Sequence, residues 1–388
     1  LREAREAFDK LPVKDIVCWT ALLSLYVESS HGEEALNCLE LMQFKGIHPN
    51  EGTFVHILKA CGSVGAIRKG QEIHAEVERK GLLESNTLIG NILVEMYVKC
   101  GSLAEAQEVF ERLPLRDIVS WTSLITGYAQ HGYGLQAISL CKQMQVEGIL
   151  LNNFTFSAVL KACSILPSLN IGKQMHSSII ESGYRSDVTI GNVLIDMYTK
   201  SGSIEYALVV FKEMHGKDVV SWSVLIAGYN KHGCGEEALT CFEHMQHKGV
   251  SPNAFTFGCL LKACVVIGSL EIGEEIDGEI RKMGLLENNV VLGTSLVDMY
   301  AKFGVMWKAR QVFDEIPARN VITWNALISG YVQHGHGYKA LKLFRDMRNH
   351  EITPDKVTYI CIIKACGIIG SLEIGEGIYG EIREKRLL

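Results

Sequence analysis

The sequence predicts an all-α array of short helical hairpins, and three observations carry that prediction. The first is periodicity: the triplet Lys-Ala-Cys recurs at Lys59, Lys161, Lys262 and Lys364, in steps of 102, 101 and 102 residues. The second is that Trp19, Trp121, Trp222 and Trp324 keep the same steps, so the period runs from end to end. The third is local. Trp19, Leu22, Leu23 and Tyr26 fall at i, i+3, i+4 and i+7, one apolar stripe of a short helix. Ser30-His31-Gly32 interrupts it, Ala35, Leu36, Leu39 and Met42 form a second stripe, and Gly46 and Pro49 end that helix. Two such helices bury both faces only by stacking on neighbours.

Each hundred residues divides into three units. Cut this way, the chain holds units of 35, 36 and 31 residues (16–50, 51–86, 87–117), then 35, 35 and 31 (118–152, 153–187, 188–218), then 35, 36 and 31 (219–253, 254–289, 290–320). A fourth 35-residue unit spans 321–355, and an unfinished one spans 356–388. Residues 1–15 match the second half of a 31-residue unit: "AREAFDKLPVKD" parallels "AQEVFERLPLRD". About twenty-three helices in one continuous array follow from this cutting.

Composition narrows the function classes. At 388 residues and 47% hydrophobic, the chain has material for a large core, and only 7 prolines interrupt it. A net charge of −6 excludes a uniformly basic nucleic-acid binder but leaves room for a local basic stripe. The 12 cysteines contain no C-x-x-C pair, which favours buried thiols over a disulfide scaffold or zinc site. No run of about 18 apolar residues is present, so no membrane span is expected. The chain opens on Leu1 inside a repeat, so it is expected to be a fragment, with any targeting peptide outside it.

Units of 35, 35–36 and 31 residues in rotation, carrying "DIVSWTSLITGYAQHG", "FTFSAVLKACSILPSLNIGKQMHSSI" and "GNVLIDMYTKSGSIEYALVVF", resemble the P, L and S motifs of plant pentatricopeptide repeat (PPR) proteins. A tetratricopeptide array would keep a steady period of about 34 with other landmarks. The resemblance implies a right-handed α-solenoid superhelix that binds single-stranded RNA, one base per repeat. It also implies a plant organelle, chloroplast or mitochondrion, and the RNA-binding tract of a C-to-U editing factor whose extension motifs or deaminase lie outside these residues. Small accessory editing factors that dock on L motifs are further implied partners. No catalysis, cofactor, metal or membrane partner is expected. A protein-binding helical scaffold, and RNA stabilisation or processing without editing, are the alternative readings.

In the family, a base is read by a motif's fifth residue and its last. In the P units these are Thr20/Asn50, Thr122/Asn152, Ser223/Asn253 and Asn325/Asp355; in the S units, Asn91/Asp117, Asn192/Asp218 and Thr294/Asn320. Small polar residues there are also ordinary helix caps and turn formers. The pairing is less ordinary: every hydroxyl is partnered by Asn and every Asn by Asp, in all seven pairs. By resemblance, hydroxyl/Asn prefers A and Asn/Asp prefers U, so the seven pairs spell 5′-A-N-U-A-N-U-A-N-A-U-3′, with N at each L unit. Val17, Val119, Val220 and Ile322, second in the P motifs, resemble the apolar wedges between which bases stack.

The L units depart from this code. Their pairs are Val55/Asn86, Ser157/Asp187 and Gly258/Asn289, and the last has Ile360; only Ser157/Asp187 retains two polar side chains. Lys59, Lys161, Lys262 and Lys364 lie one helical turn past the fifth residue, and Lys99, Lys200 and Lys302 of the S units about two turns past. Together they are candidates for a phosphate track, and equally what a solvated surface would carry.

Three motifs mislead. "GEGIYG" (375–380) matches a dinucleotide fingerprint but follows no strand. His74-Ala75-Glu76 matches half of a zinc deaminase signature without its P-C-x-x-C. His131, His334 and His336 sit in inter-helix turns and are expected to be exposed and unpaired.

Overall fold

A computed structural model describes residues 1–166, 169–287 and 289–385. The end of the unfinished last unit and one or two connecting residues in each of two L units therefore lie outside the described residues. These form helices and turns only, in two compact units, Leu1–Ser201 and Gly202–Leu388, each described here by itself.

The first unit holds α1 (Arg2–Lys10), α2 (Ile16–Glu28), α3 (Gly32–Phe44), α4 (Glu51–Val64), α5 (Ile67–Arg79), α6 (Leu82–Ser85), α7 (Thr87–Lys99), α8 (Leu103–Arg112), α9 (Ile118–Gln130), α10 (Gly134–Val146), α11 (Asn153–Ile165), α12 (Leu169–Glu181) and α13 (Val188–Lys200). The second holds α14 (Ile204–Glu213), α15 (Val219–Lys231), α16 (Gly235–His247), α17 (Ala254–Ile267), α18 (Leu270–Lys282), α19 (Val290–Lys302), α20 (Met306–Glu315), α21 (Val321–Gln333), α22 (Gly337–Asn349), α23 (Lys356–Ile369) and α24 (Leu372–Glu384). The twenty-fourth helix, one beyond expectation, is the four-residue α6. It follows Gly81, which holds φ +65°, and takes up the extra length of the connection between an L and an S unit. The next such connection holds a single 3₁₀ turn, Tyr184–Ser186.

In each unit the first helices of successive hairpins pack directly on one another: α2, α4, α7, α9, α11 and α13 in the first, and α15, α17, α19, α21 and α23 in the second. Second helices pack on their own first helix and on the next one, as α3 does on α2 and α4 and α10 on α9 and α11. A second layer thus covers one side of the row of first helices.

Each first helix begins on a side-chain cap. Asp15, Asn50, Asn86, Asp117, Asn152, Asp187, Asp218, Asn253, Asn289, Asn320 and Asp355 each accept from the backbone N–H three residues on. One such cap contributes about 1 kcal/mol.

A stack of three side chains joins each S-type second helix to the next first helix. Phe8, Phe110, Phe211 and Phe313 meet Trp19, Trp121, Trp222 and Trp324 edge-on, with centroids 4.7, 4.7, 4.8 and 4.8 Å apart. Lys14, Arg116, Lys217 and Arg319 lie over those phenylalanine rings at 4.8–5.5 Å while donating to carbonyls at the helix end.

The junction from L to S is closed differently. Met96, Met197 and Met299 seat against Gly70, Gly172 and Gly273, where an added Cβ would approach sulfur to 2.6, 2.5 and 3.0 Å. The neighbouring Tyr97 and Tyr198 hydroxyls pair with His74 and His176 Nδ1 at 2.9 and 3.0 Å, and Tyr300 donates to Asp277 at 2.7 Å. His74 is therefore a packing residue. The Lys-Ala-Cys triplet belongs to this junction too. Ala60, Ala162, Ala263 and Ala365 are fully buried, and burial pushes the Cys61 and Cys163 thiols up to about 12 and Cys264 to about 11. Buried thiols with raised pKa are inert packing groups.

Among the described residues no helix is long and apolar enough to cross a membrane, and no group of metal-ligating side chains is present. Trp121 is fully buried. Trp121→Ala is expected to lower the unfolding free energy by about 3–5 kcal/mol, read from the urea midpoint. A loss below about 1 kcal/mol would show that the aromatic stack does not hold the repeats together.

Candidate nucleic-acid interface

The candidate base-reading residues all lie on or at the start of first helices. Thr20, Thr122 and Thr294 are half-buried; Asn91, Asn192, Ser223 and Asn325 are buried, with 6, 8, 1 and 7% exposure. The last residue of each pair is the cap of the following first helix, so Asn50, Asn152, Asn253, Asn320, Asp117, Asp218 and Asp355 hold a structural role whatever else they do.

Fifth and last residues are joined by hydrogen bonds, in two patterns. Where the fifth residue carries a hydroxyl, it meets a threonine three residues past the cap: Thr20 with Thr53 (3.0 Å), Thr122 with Thr155 (2.8 Å), Ser223 with Thr256 (2.7 Å) and Thr294 with Thr323 (2.8 Å). That threonine's Oγ1 donates to the cap's Oδ1 at 2.9, 2.8, 3.0 and 3.1 Å. Where the fifth residue is Asn it reaches the cap directly. Asn91 Nδ2 donates to the Asp117 carboxylate at 3.1 and 3.2 Å, and Asn325 Nδ2 to Asp355 Oδ1 at 3.0 Å. Burial raises the Asp355 pKa, but the Thr358 N–H and hydroxyl and the Asn325 amide outweigh it and hold the carboxyl below its ordinary value. Asn192 and Asp218 belong to different compact units; the first is buried on α13, and the second caps α15. The coupling of residue types thus has a cause inside the protein: an amide donates straight to a carboxylate cap, whereas a hydroxyl reaches its amide cap through a threonine; Thr358 makes the same bridge beside the direct bond, 2.7 Å from Asn325 Oδ1 and 2.9 Å from Asp355 Oδ1.

The threonines of these bridges were missed by sequence reasoning. Their signal was present, as "GTF", "FTF", "FTF", "ITW" and "VTY" around Thr53, Thr155, Thr256, Thr323 and Thr358, but nothing local marks a residue that meets another 29 or 33 positions back. The L units lack the bridge. The third residues of the units after them are Ile89, Ile190 and Leu292, and Asn86 Nδ2 is already given to Glu51 at 2.9 Å. Ile360 is 54% exposed.

The apolar second residues are solvent-facing: Val17, Val119, Val220 and Ile322 are exposed by 68, 53, 46 and 63%. The same position in L and S units carries Leu88, Phe154, Phe255, Val291 and Val357, all at least half exposed and also missed. Large apolar groups left in water at this position in nine of the eleven units, all but those with Gly52 and Thr189, are not explained by the core.

All seven candidate lysines are exposed, but they divide. Lys99, Lys200 and Lys302 are paired with Glu95, Asp196 and Asp298 one turn earlier, at 2.7, 2.7 and 2.8 Å. Lys59, Lys161, Lys262 and Lys364 form no ion pair among the described residues. In the second unit Lys262 and Lys302 line one open groove of about 710 Å³ together with Thr294, Asn325, Ile322, Phe255 and Val357.

The misleading motifs resolve simply. Gly375–Gly380 lies inside α24. His131 Nδ1 and His334 Nε2 are not unpaired, as expected from sequence, but lie 2.9 and 2.7 Å from the carbonyls of Gly127 and Ala301; His131 closes its own helix end, and His334 reaches back to α19 of the preceding unit.

Comparison with known proteins agrees with this architecture. A family model described as the PPR repeat family matches residues 14–63, 116–164, 217–266 and 319–367, and one described as PPR repeat matches 91–118, 192–219 and 294–321. A chloroplastic pentatricopeptide repeat-containing protein of Arabidopsis thaliana is 35% identical over 97% of this chain and 60% of its own length. A mitochondrial one from the same plant is 33% identical over 98% and 55%. The chain therefore spans about three-fifths or less of these relatives. Among solved structures, PPR10 in complex with an 18-nt psaJ RNA element superposes with a TM-score of 0.69 at 19% identity, over 95% of this chain and 55% of that one. PPR10 from maize gives 0.62 at 18%, over 98% and 60%. This is a likeness of fold. With family models matching more than half of its residues and relatives at one-third identity along nearly all of it, the chain belongs to the pentatricopeptide repeat family.

Proposed function

We propose that the chain binds single-stranded RNA along its layer of first helices, one base to each P and S unit, as 5′-A-N-U-A-N-U-A-N-A-U-3′. The observation that carries this reading is the groove of the second unit. There a hydroxyl and an amide at base-reading positions, three exposed apolar side chains and an unpaired lysine line one trough. A nucleobase needs an apolar plate for its face and a few polar groups for its edge, and a phosphate needs a cation. The RNA bound by PPR10, whose fold this chain shares, supports the same reading.

In this reading Val17, Val119, Val220 and Ile322, joined by Leu88, Phe154, Phe255, Val291 and Val357, flank successive bases. Hydroxyl/Asn pairs take A and Asn/Asp pairs take U. A gel shift with the coded oligonucleotide against its A/U-exchanged counterpart tests it; equal affinity at one salt concentration removes the reading and leaves a protein-binding scaffold. The sharper arm recodes one repeat. Thr122→Asn with Asn152→Asp keeps a competent cap, so stability should fall by less than about 1 kcal/mol. Preference at the fourth base should move from A to U by about 1–3 kcal/mol.

The lysines contribute unequally. Lys161→Ala is expected to flatten the salt dependence by about 0.7 per lost phosphate contact, whatever the sequence bound. Lys200→Ala should change it less, because its ammonium is already paired with Asp196. Unchanged slopes in both variants would mean that neither touches phosphate.

The P–L–S rotation and the chloroplastic and mitochondrial relatives support a place in organelle C-to-U editing, with chemistry supplied by a domain outside these residues and accessory factors on the L units. Organelle transcripts from plants lacking the gene should then retain cytidine downstream of the coded element. Normally edited but shortened transcripts would point to RNA protection or processing instead.

A further inference from the structure

We infer that the third residue of the following unit is a third member of the reading group: Thr155, for the Thr122/Asn152 pair, positions both side chains so that the pair tells a 6-amino from a 6-keto purine. The inference rests on the base-reading proposal above. It follows from counting protons.

Asn152 Oδ1 accepts twice, from the Thr155 N–H and from the Thr155 hydroxyl, both at 2.8 Å. That fills both lone pairs of the amide oxygen and turns Nδ2, a pure donor, away from the helix start. Thr155 has one hydroxyl proton, and Asn152 takes it. The 2.8 Å contact between Thr122 Oγ1 and Thr155 Oγ1 is then donated by Thr122, which keeps only lone pairs for a ligand. The pair presents one acceptor, Thr122, and one donor, Asn152, in fixed places.

The other hydroxyl units repeat the count. Thr20, Thr53 and Asn50 make the same chain at 3.0 and 2.9 Å. Ser223 and Thr294 place their proton either on the threonine or on the carbonyl of Val219 or Val290, at 2.6 and 2.7 Å, and in both cases it stays inside the protein. Adenine offers a donor at position 6 and an acceptor at N1; a 6-keto purine offers the reverse. A base held in one orientation by its stacking neighbours can satisfy a fixed acceptor–donor pair with only one of these. Remove the bridging hydroxyl and Thr122 regains its proton, while Asn152 Oδ1, held by the backbone N–H of residue 155 alone, has a lone pair open to a donor, so the fixed polarity is lost. The L pairs are followed by Ile89, Ile190 and Leu292 and never acquire it.

The test uses the 388-residue chain with 5′-ACUACUACAU-3′ and the same strand carrying inosine at position 4, which exchanges 6-amino for 6-keto and adds nothing else. The unaltered protein should prefer adenosine by about tenfold. Thr155→Val should bring the ratio within about twofold at either affinity, and Thr155→Ser should restore it. Isoleucine occupies the same place in α7 and α13, so the hydroxyl is not required for a helix to start. Thr53→Val, read with inosine at position 1, repeats the test should Thr155→Val not fold. A tenfold ratio retained in the folded valine variants overturns the role of the third residue and leaves the pair code standing. No preference in the unaltered protein among A, inosine and U at position 4 overturns the base-reading proposal, and this inference with it.

Discussion

Everything in this protein is phased by the side-chain cap at the start of each first helix. An Asn or Asp that closes one unit must accept from the N–H three residues into the next, because the first turn of a helix leaves its donors without partners. That bond fixes where each first helix begins, and the fifth residue then falls one turn in, with its neighbour's cap within reach. Asn91 to Asp117 and Asn325 to Asp355 are the direct result. The residue that starts the next helix and the residue offered to a ligand are one side chain. A cap oxygen that is spent on the helix leaves only its amide nitrogen, or the other carboxylate oxygen, to face outward.

Between caps, two kinds of packing hold the rows together, and both use one large group against one small or flat one. Tryptophan meets phenylalanine edge-on at the junction from S to P, with a cation over the phenylalanine ring. Methionine fills the space above a glycine at the junction from L to S. The Trp–Phe separation is nearly constant across the four copies, so the same contact sets the spacing each time. A rigid spacing of first helices is what an extended ligand read at intervals would require.

Charge tells the same story on a smaller scale. The chain is acidic in sum, yet the seven lysines one or two turns past the fifth position fall into a set paired with acids one turn earlier, in the S units, and a set with no ion pair among the described residues, in the L units. An ion pair on a helix surface contributes a few tenths of a kcal/mol, so the paired lysines are not locked. The unpaired ones offer charge without first giving up a partner. L units, poor in polar groups at the fifth position, thus carry an unpaired lysine one turn past it.

The amino-acid sequence by itself determined the helical array, its period and the side of each helix that is buried, because a stripe at i, i+3, i+4 and i+7 has one way to leave water. It also marked the exposed second residues of the P units and the polar pairs, since a repeated chain shows its own exceptions. It overcounted unpaired histidines, missing that His131 reaches the carbonyl four residues back and His334 one in the preceding unit. It carried the pairing of Lys99 and Lys302 as acids four residues earlier on the same helix, but it did not show that Thr53 or Thr155 stands between two residues of the preceding unit. Those facts depend on which atoms meet when one hairpin is laid on the next, and on how a single hydroxyl proton is shared among three oxygens. Only the tertiary structure decides that, because residues 33 apart in sequence lie 3 Å apart only once the helices are stacked.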